Sequence, residues 1–202
     1  MLKKFTLFSF VLFLANSSNA QNVRETRLEI DKQQQIAFDI EFPYDVKIVE
    51  GAWEEKAKSL GIKGKSSKGV TTYAGAKILD IHYEALDYYV SINKVAKDRT
   101  SISLTASKGY GNFITDADDK IVSNIKQFLT NFSQNVEQYK LRQDIAAQEN
   151  LIKSAEKEKE KLINEGKKIE QDLQKNKEEQ EKKIKELEGL NQQLQGLRSN
   201  LK

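Results

Sequence analysis

The 202-residue chain has no cysteine, one proline, one histidine, few aromatic side chains (8%) and a formal charge of only +3. Without cysteine there is no disulfide framework, no thiol nucleophile, no thiolate zinc cluster and no lipid-attachment cysteine. Because the only proline is Pro43, no ring clash or missing backbone donor interrupts a helix anywhere after it. Sparse, scattered aromatics and balanced charge exclude both a base-stacking platform and the one-signed basic surface that nucleic-acid binding needs. Beyond Ala15 no stretch is apolar enough to cross a bilayer, which takes about 20 apolar residues.

What the chain has in quantity is a charged helix. From about Asp116 to Lys202, apolar residues recur at Ile121, Ile125, Phe128, Phe132, Val136 and Tyr139, then at Leu141, Ile145, Ile152, Ala155 and Leu162. Spacings of three, four and their sums put these on one helical face. Leu187, Leu190, Leu194, Leu197 and Leu201 repeat the alternation as a coiled-coil seam, which Gly166, Asn176 and Gln180 dilute in between. Glu149 with Lys153, Glu178 with Lys182, Glu179 with Lys183 and Glu181 with Lys185 stand acid before base at i,i+4, each worth roughly 0.2–0.5 kcal/mol to an isolated helix. With 17 Lys/Arg against 17 Asp/Glu from 116 to 202, the segment is neutral. As one rod, roughly 87 residues at about 1.5 Å each would reach on the order of 130 Å and would need copies or partners to be stable. The alternative is a hairpin turning near 164–166 or near Asn176; the rod is the preferred expectation.

The N-terminus predicts export. Lys3 and Lys4 precede an apolar run from Phe5 to Ala15, and Ser18-Asn19-Ala20 supplies small residues at the cleavage places. This is the pattern of a secretory signal peptide, residues 1–20, and the run is too short for a comfortable membrane span. Cleavage removes two lysines and takes the charge to +1, so the mature protein has little field to steer a polyanion.

Between 21 and 115 the periodicity changes to two. Ile36, Phe38, Ile40 and Phe42 alternate as a half-buried strand that Pro43 breaks. Val46, Val49, Trp53, Ala57 and Leu60 then share one face of a helix, with Asp45 as N-cap and Gly61 just past the end. A Lys/Ser/Gly loop, 64–69, leads into extended residues around Val70 to Leu79. Tyr88, Val90 and Ile92 pair with Ile102, Leu104 and Ala106 across a turn within Lys94–Arg99. The expected class is α+β: a small antiparallel head in β-α-β-β-β order, 21–115, followed by a helical coiled-coil region, 116–202, whose first residues, Ile121 to Phe132, pack on the sheet.

No catalytic, cofactor or metal residues are assigned. Asp80, His82 and Glu84 would share one side of an extended segment, but without a second histidine, a cysteine or a nucleophile beside them they read as a polar surface stretch. Lys108-Gly109-Tyr110-Gly111-Asn112 before a helix has the look of a phosphate cradle; Asp116, Asp118 and Asp119 would stand where the phosphate lies, and the spacing matches no phosphate motif. Counted as a calcium loop from Asp116, the sixth and twelfth places are Ile121 and Gln127, not glycine and glutamate. Trp53 reads as core, and the Asn131-Phe132-Ser133 sequon lies mid-helix.

The lysine-led signal, Val49-Glu50-Gly51-Ala52-Trp53-Glu54-Glu55-Lys56, the Lys65–Tyr73 stretch, Ser107 to Phe113 and the Lys/Glu-rich tail resemble an uncharacterised family of exported Bacteroidota proteins with a small α+β head and a C-terminal coiled coil. The resemblance implies no activity. The strand–helix–strand start is also similar to the ferredoxin-like heavy-metal-associated domain, but Phe42-Pro43-Tyr44-Asp45 replaces its Cys-x-x-Cys loop, so metal transfer does not carry over. The expectation is an exported, non-enzymatic interaction or scaffolding protein of the periplasm or extracellular space. It would form homo-oligomers through the coiled coil or join another envelope protein, and would have no transmembrane segment after signal cleavage. The alternative is a small-ligand-binding or hydrolytic head on a helical stalk, using a cleft near His82 or Gly109.

Overall fold

The computed structural model describes residues 22–200; residues 1–21, where the signal peptide is expected, and Leu201 and Lys202 lie outside them. The elements run β1 (Arg24–Ile30), β2 (Gln33–Phe42), α1 (Val46–Ser59), β3 (Lys65–Ser67), β4 (Val70–Ala76), β5 (Leu86–Ala96), β6 (Arg99–Ser107) and α2 (Asp119–Ser199). One antiparallel sheet has the order β1-β2-β6-β5-β4-β3. The class is α+β with one long C-terminal helix, as the periodicities indicate.

Two strands, β1 and β3, join the four expected from sequence, so the order begins β-β-α. Arg24, Glu25 and Arg27 in β1 carry charge along a sheet edge, where it discourages edge pairing. The β1–β2 turn, Asp31-Lys32, holds both residues at positive φ (50° and 66°) without a glycine. Turns of this kind normally announce themselves as Asn-Gly or Asp-Gly. At the edge, Arg24 Nε donates to Asp39 Oδ1 at 2.9 Å, and Arg24 also pairs with Glu41.

The sheet's two faces differ because side chains alternate. Register puts Phe38 beside Leu104 and Leu104 beside Val90, with Ile40, Ile102 and Ile92 in the next row. These face the main core, where Phe38, Ile40, Ile102 and Leu104 are buried. On the other face Asp39, Ser103 and Ser91 form the matching polar row, itself buried, and a smaller apolar cluster gathers Leu28, Ile30 and Ala37.

Helix α1 starts where expected: Asp45 accepts a hydrogen bond from the Lys47 amide at 3.1 Å, and Gly61 (φ 69°) follows its end. It buries Val49, Ala52, Trp53 and Ala57. The first turns of α2 bury Ile121, Ile125, Phe128, Leu129, Phe132 and Val136 in the same core, each large side chain contributing about 1.5–3 kcal/mol relative to exposure. The compact unit containing the sheet ends at Arg142, and a second unit begins at Gln143. Throughout 119–199 the helix is continuous, with no turn at 164–166 or near Asn176. No helix among the described residues is long and apolar enough to cross a membrane.

Candidate functional site

The head contains a cleft on the helical side of the sheet, between α1 and the β3–β4 hairpin. One helical face supplies Glu50, Trp53 and Glu54, since residues three and four apart are neighbours. Thr71 and Tyr73 alternate onto the same side of β4, and Val90 and Ile92 of β5 form part of the lining. Ser66, Gly64 and Gly69 complete it. Its volume is about 380 Å³, within the roughly 300–1,000 Å³ of small-ligand sites.

The wall is rigid. Trp53 Nε1 donates to Tyr73 Oη at 2.7 Å, a buried bond between two otherwise apolar rings. The same indole meets Tyr73, Phe128 and Phe132 edge-on, with centroids 6.0, 6.2 and 5.5 Å away, the favoured aromatic geometry. At Gly64 a β-carbon would stand 2.4 Å from Thr71 Cγ2 and 2.7 Å from the Tyr73 ring, so only glycine permits this approach. Ser66 and Thr71 hydroxyls bond each other at 2.7 Å.

The mouth is acidic. Glu50 and Glu54 are exposed on successive turns of α1, and neither carboxylate has a hydrogen-bond or ion-pair partner among the described residues. Burial pushes the Tyr73 hydroxyl above its ordinary pKa; the Trp53 bond opposes the shift and the charge of Glu54 adds to it. A second hollow of about 640 Å³ beside the two hairpin turns is lined by Glu29 and Asp31 together with Lys32 and Lys68, so it prefers neither charge.

The residues weighed from sequence fall elsewhere. Asp80, His82 and Glu84 occupy the turns between β4 and β5 and not an extended segment. His82 Nε2 stands 3.9 Å from a Glu84 carboxylate oxygen, and its ring lies against Tyr83. In the Gly109 loop, Asp118 pairs with Lys108 and accepts the Thr115 amide at 3.0 Å. Lys108 and that amide hold the Asp118 carboxyl below its usual range, so it is a helix-start anchor facing the loop's only lysine. Trp53 is core, as expected, at 4% exposure, yet it also lines the cleft. The cleft itself was not anticipated from sequence; Glu50-x-x-Trp53-Glu54 on one helical face is the signal that points to it. No group of three or more potential metal-ligating side chains occurs among the described residues.

No family model, curated protein or solved structure matches the chain.

Proposed function

We propose that this is an exported, non-enzymatic assembly protein, in which the helix beyond Arg142 joins copies of the chain and the head engages a partner. One observation carries the reading: every described residue from Leu141 to Asn200 is exposed, apolar ones included. Leu151 is 64% exposed, Ile169 67% and Leu197 66%. An isolated helix of this kind gains nothing from packing, which is where most helical stability comes from.

The continuous helix supports a single heptad frame. Ile145, Ile152, Leu173, Leu187 and Leu194 take one core position, and Leu141, Ala155, Leu162, Ile169, Leu190 and Leu197 take the other. Gln148, Lys159, Gly166, Asn176, Gln180 and Lys183 then occupy the remaining core places without shifting the phase. The occupant of this seam is a second copy of the same helix. Acid and base balance over the helix as a whole, while Lys159 and Lys183 stand at core places and, like the amides, lower the stability of the seam. In parallel register Asn176 and Gln180 meet their own counterparts, and each amide carries both donors and an acceptor. A polar core residue of this kind sets register at some cost in stability.

The test is size-exclusion chromatography with light scattering on residues 21–202. The expected result is a multimer that becomes monomeric when 143–202 is deleted or when Leu187 and Leu194 are both changed to Asn, with head circular dichroism unchanged. A full-length monomer over the micromolar range would overturn the reading.

A further inference from the structure

The cleft beside α1 has a defined chemical preference. Glu50 and Glu54 stand one helical turn apart, about 5–6 Å between β-carbons, at the mouth of a cavity of about 380 Å³ whose wall includes Trp53 and Tyr73. Neither carboxylate has an ionic partner among the described residues. An anion entering here would meet two like charges, and an uncharged ligand would leave both carboxylates unused. A cation on an alkyl stem fits both parts: its carbons lie along the aromatic and β5 wall while its charge sits between the acids. Two carboxylates one helical turn apart can share a compact ammonium, whose three donors rotate, where the planar fork of a guanidinium matches a single carboxylate. The neighbouring hydroxyls of Ser66 and Thr71 bond each other and keep lone pairs that can accept from an ammonium.

We propose that this cleft binds a primary alkylammonium group, the lysine side chain of a partner protein. The inference rests on the reading above that the head engages a partner, and it names the chemistry of that contact.

Trp53 is the only tryptophan in the chain, so its fluorescence reports occupancy of the cleft directly. Residues 21–202 are titrated with Nα-acetyl-lysine methylamide, with butylammonium chloride and with Nα-acetyl-norleucine methylamide. The expected result is a saturable change with the first two, weakened by added salt and absent with norleucine. The lysine derivative should bind more tightly than butylammonium, because its backbone adds contacts; equal binding would overturn the assignment to a partner's side chain in favour of a free amine. Glu50→Gln with Glu54→Gln should weaken the lysine response about tenfold or more, a loss of about 1.4 kcal/mol or more. Both positions are exposed, and unchanged circular dichroism confirms the fold of the variant. A response identical for lysine and norleucine, or one insensitive to the double substitution, would overturn the proposal, as would no saturable change at all. Light scattering on the same samples separates the two readings. The cleft lies wholly in the unit that ends at Arg142, so a monomeric protein that still binds lysine refutes only the assembly, and a multimer that ignores lysine refutes only the cleft.

Discussion

At the scale of single residues, close approaches organise the head more than charges do. A β-carbon at Gly51 would lie 2.2 Å from Tyr139 Oη and 2.8 Å from Cε1, so the glycine of α1 makes room for a ring of α2. Gly51→Ala should therefore destabilise the head by about 1–2 kcal/mol in urea unfolding, despite alanine's helical advantage. In a Tyr139→Ala background the same substitution should stabilise by about 0.5–1 kcal/mol, because only the propensity difference remains. Tyr88 gives a pH signature. It is fully buried, and burial pushes its hydroxyl up to about 12. Above about pH 10 the unfolded chain loses this proton while the folded one keeps it. Stability present at neutral pH should fall between about pH 10 and 12, by roughly 2–3 kcal/mol from this group. Urea midpoints measured across that range check it, and Tyr88→Phe should flatten the slope, leaving the smaller share from Tyr73 and Tyr89, whose hydroxyls burial also pushes up.

Among the elements, legibility followed locality. The alternation from Ile36 to Phe42, the Asp45 cap and the stripe of α2 were readable because each is complete within one segment. β1 was not, since only Leu28 and Ile30 of its side chains are buried and its turn lacks glycine. The cleft was half readable: Glu50, Trp53 and Glu54 share a face by spacing, but Ser66, Thr71 and Val90 reach them only through sheet pairing. Within α2, Gly166 and Gly189 touch nothing that a β-carbon would displace. Changing both to Ala should raise the stability of the helix beyond Arg142 by roughly 1 kcal/mol per site, seen as a higher helical melting temperature with the head transition unmoved.

For the whole molecule, the division between units decides where the chain can be cut. A protein ending at residue 115, where the sequence turns from strand to helix character, would lose Ile121, Ile125, Phe128, Leu129, Phe132 and Val136 from the core. It should fail to fold, whereas residues 22–142 should give a cooperative unfolding transition by circular dichroism. The position of β2 carries a further consequence, and it concerns time. β2 pairs with β1 on one side but with β6 on the other, aligning Phe38 with Leu104. All of α1 and the β3–β5 meander must be passed before that ladder forms, and the entropy of closing so long a loop precedes any reward from the contacts. Helix formation in α2 relaxes in about a microsecond or less, so the sheet is the slow partner, and refolding should show a helical signal well before the Trp53 environment is restored. Until β6 arrives, β2 remains an open edge and the head has no core to resist unfolding, which keeps the chain threadable for as long as its sixth strand is withheld.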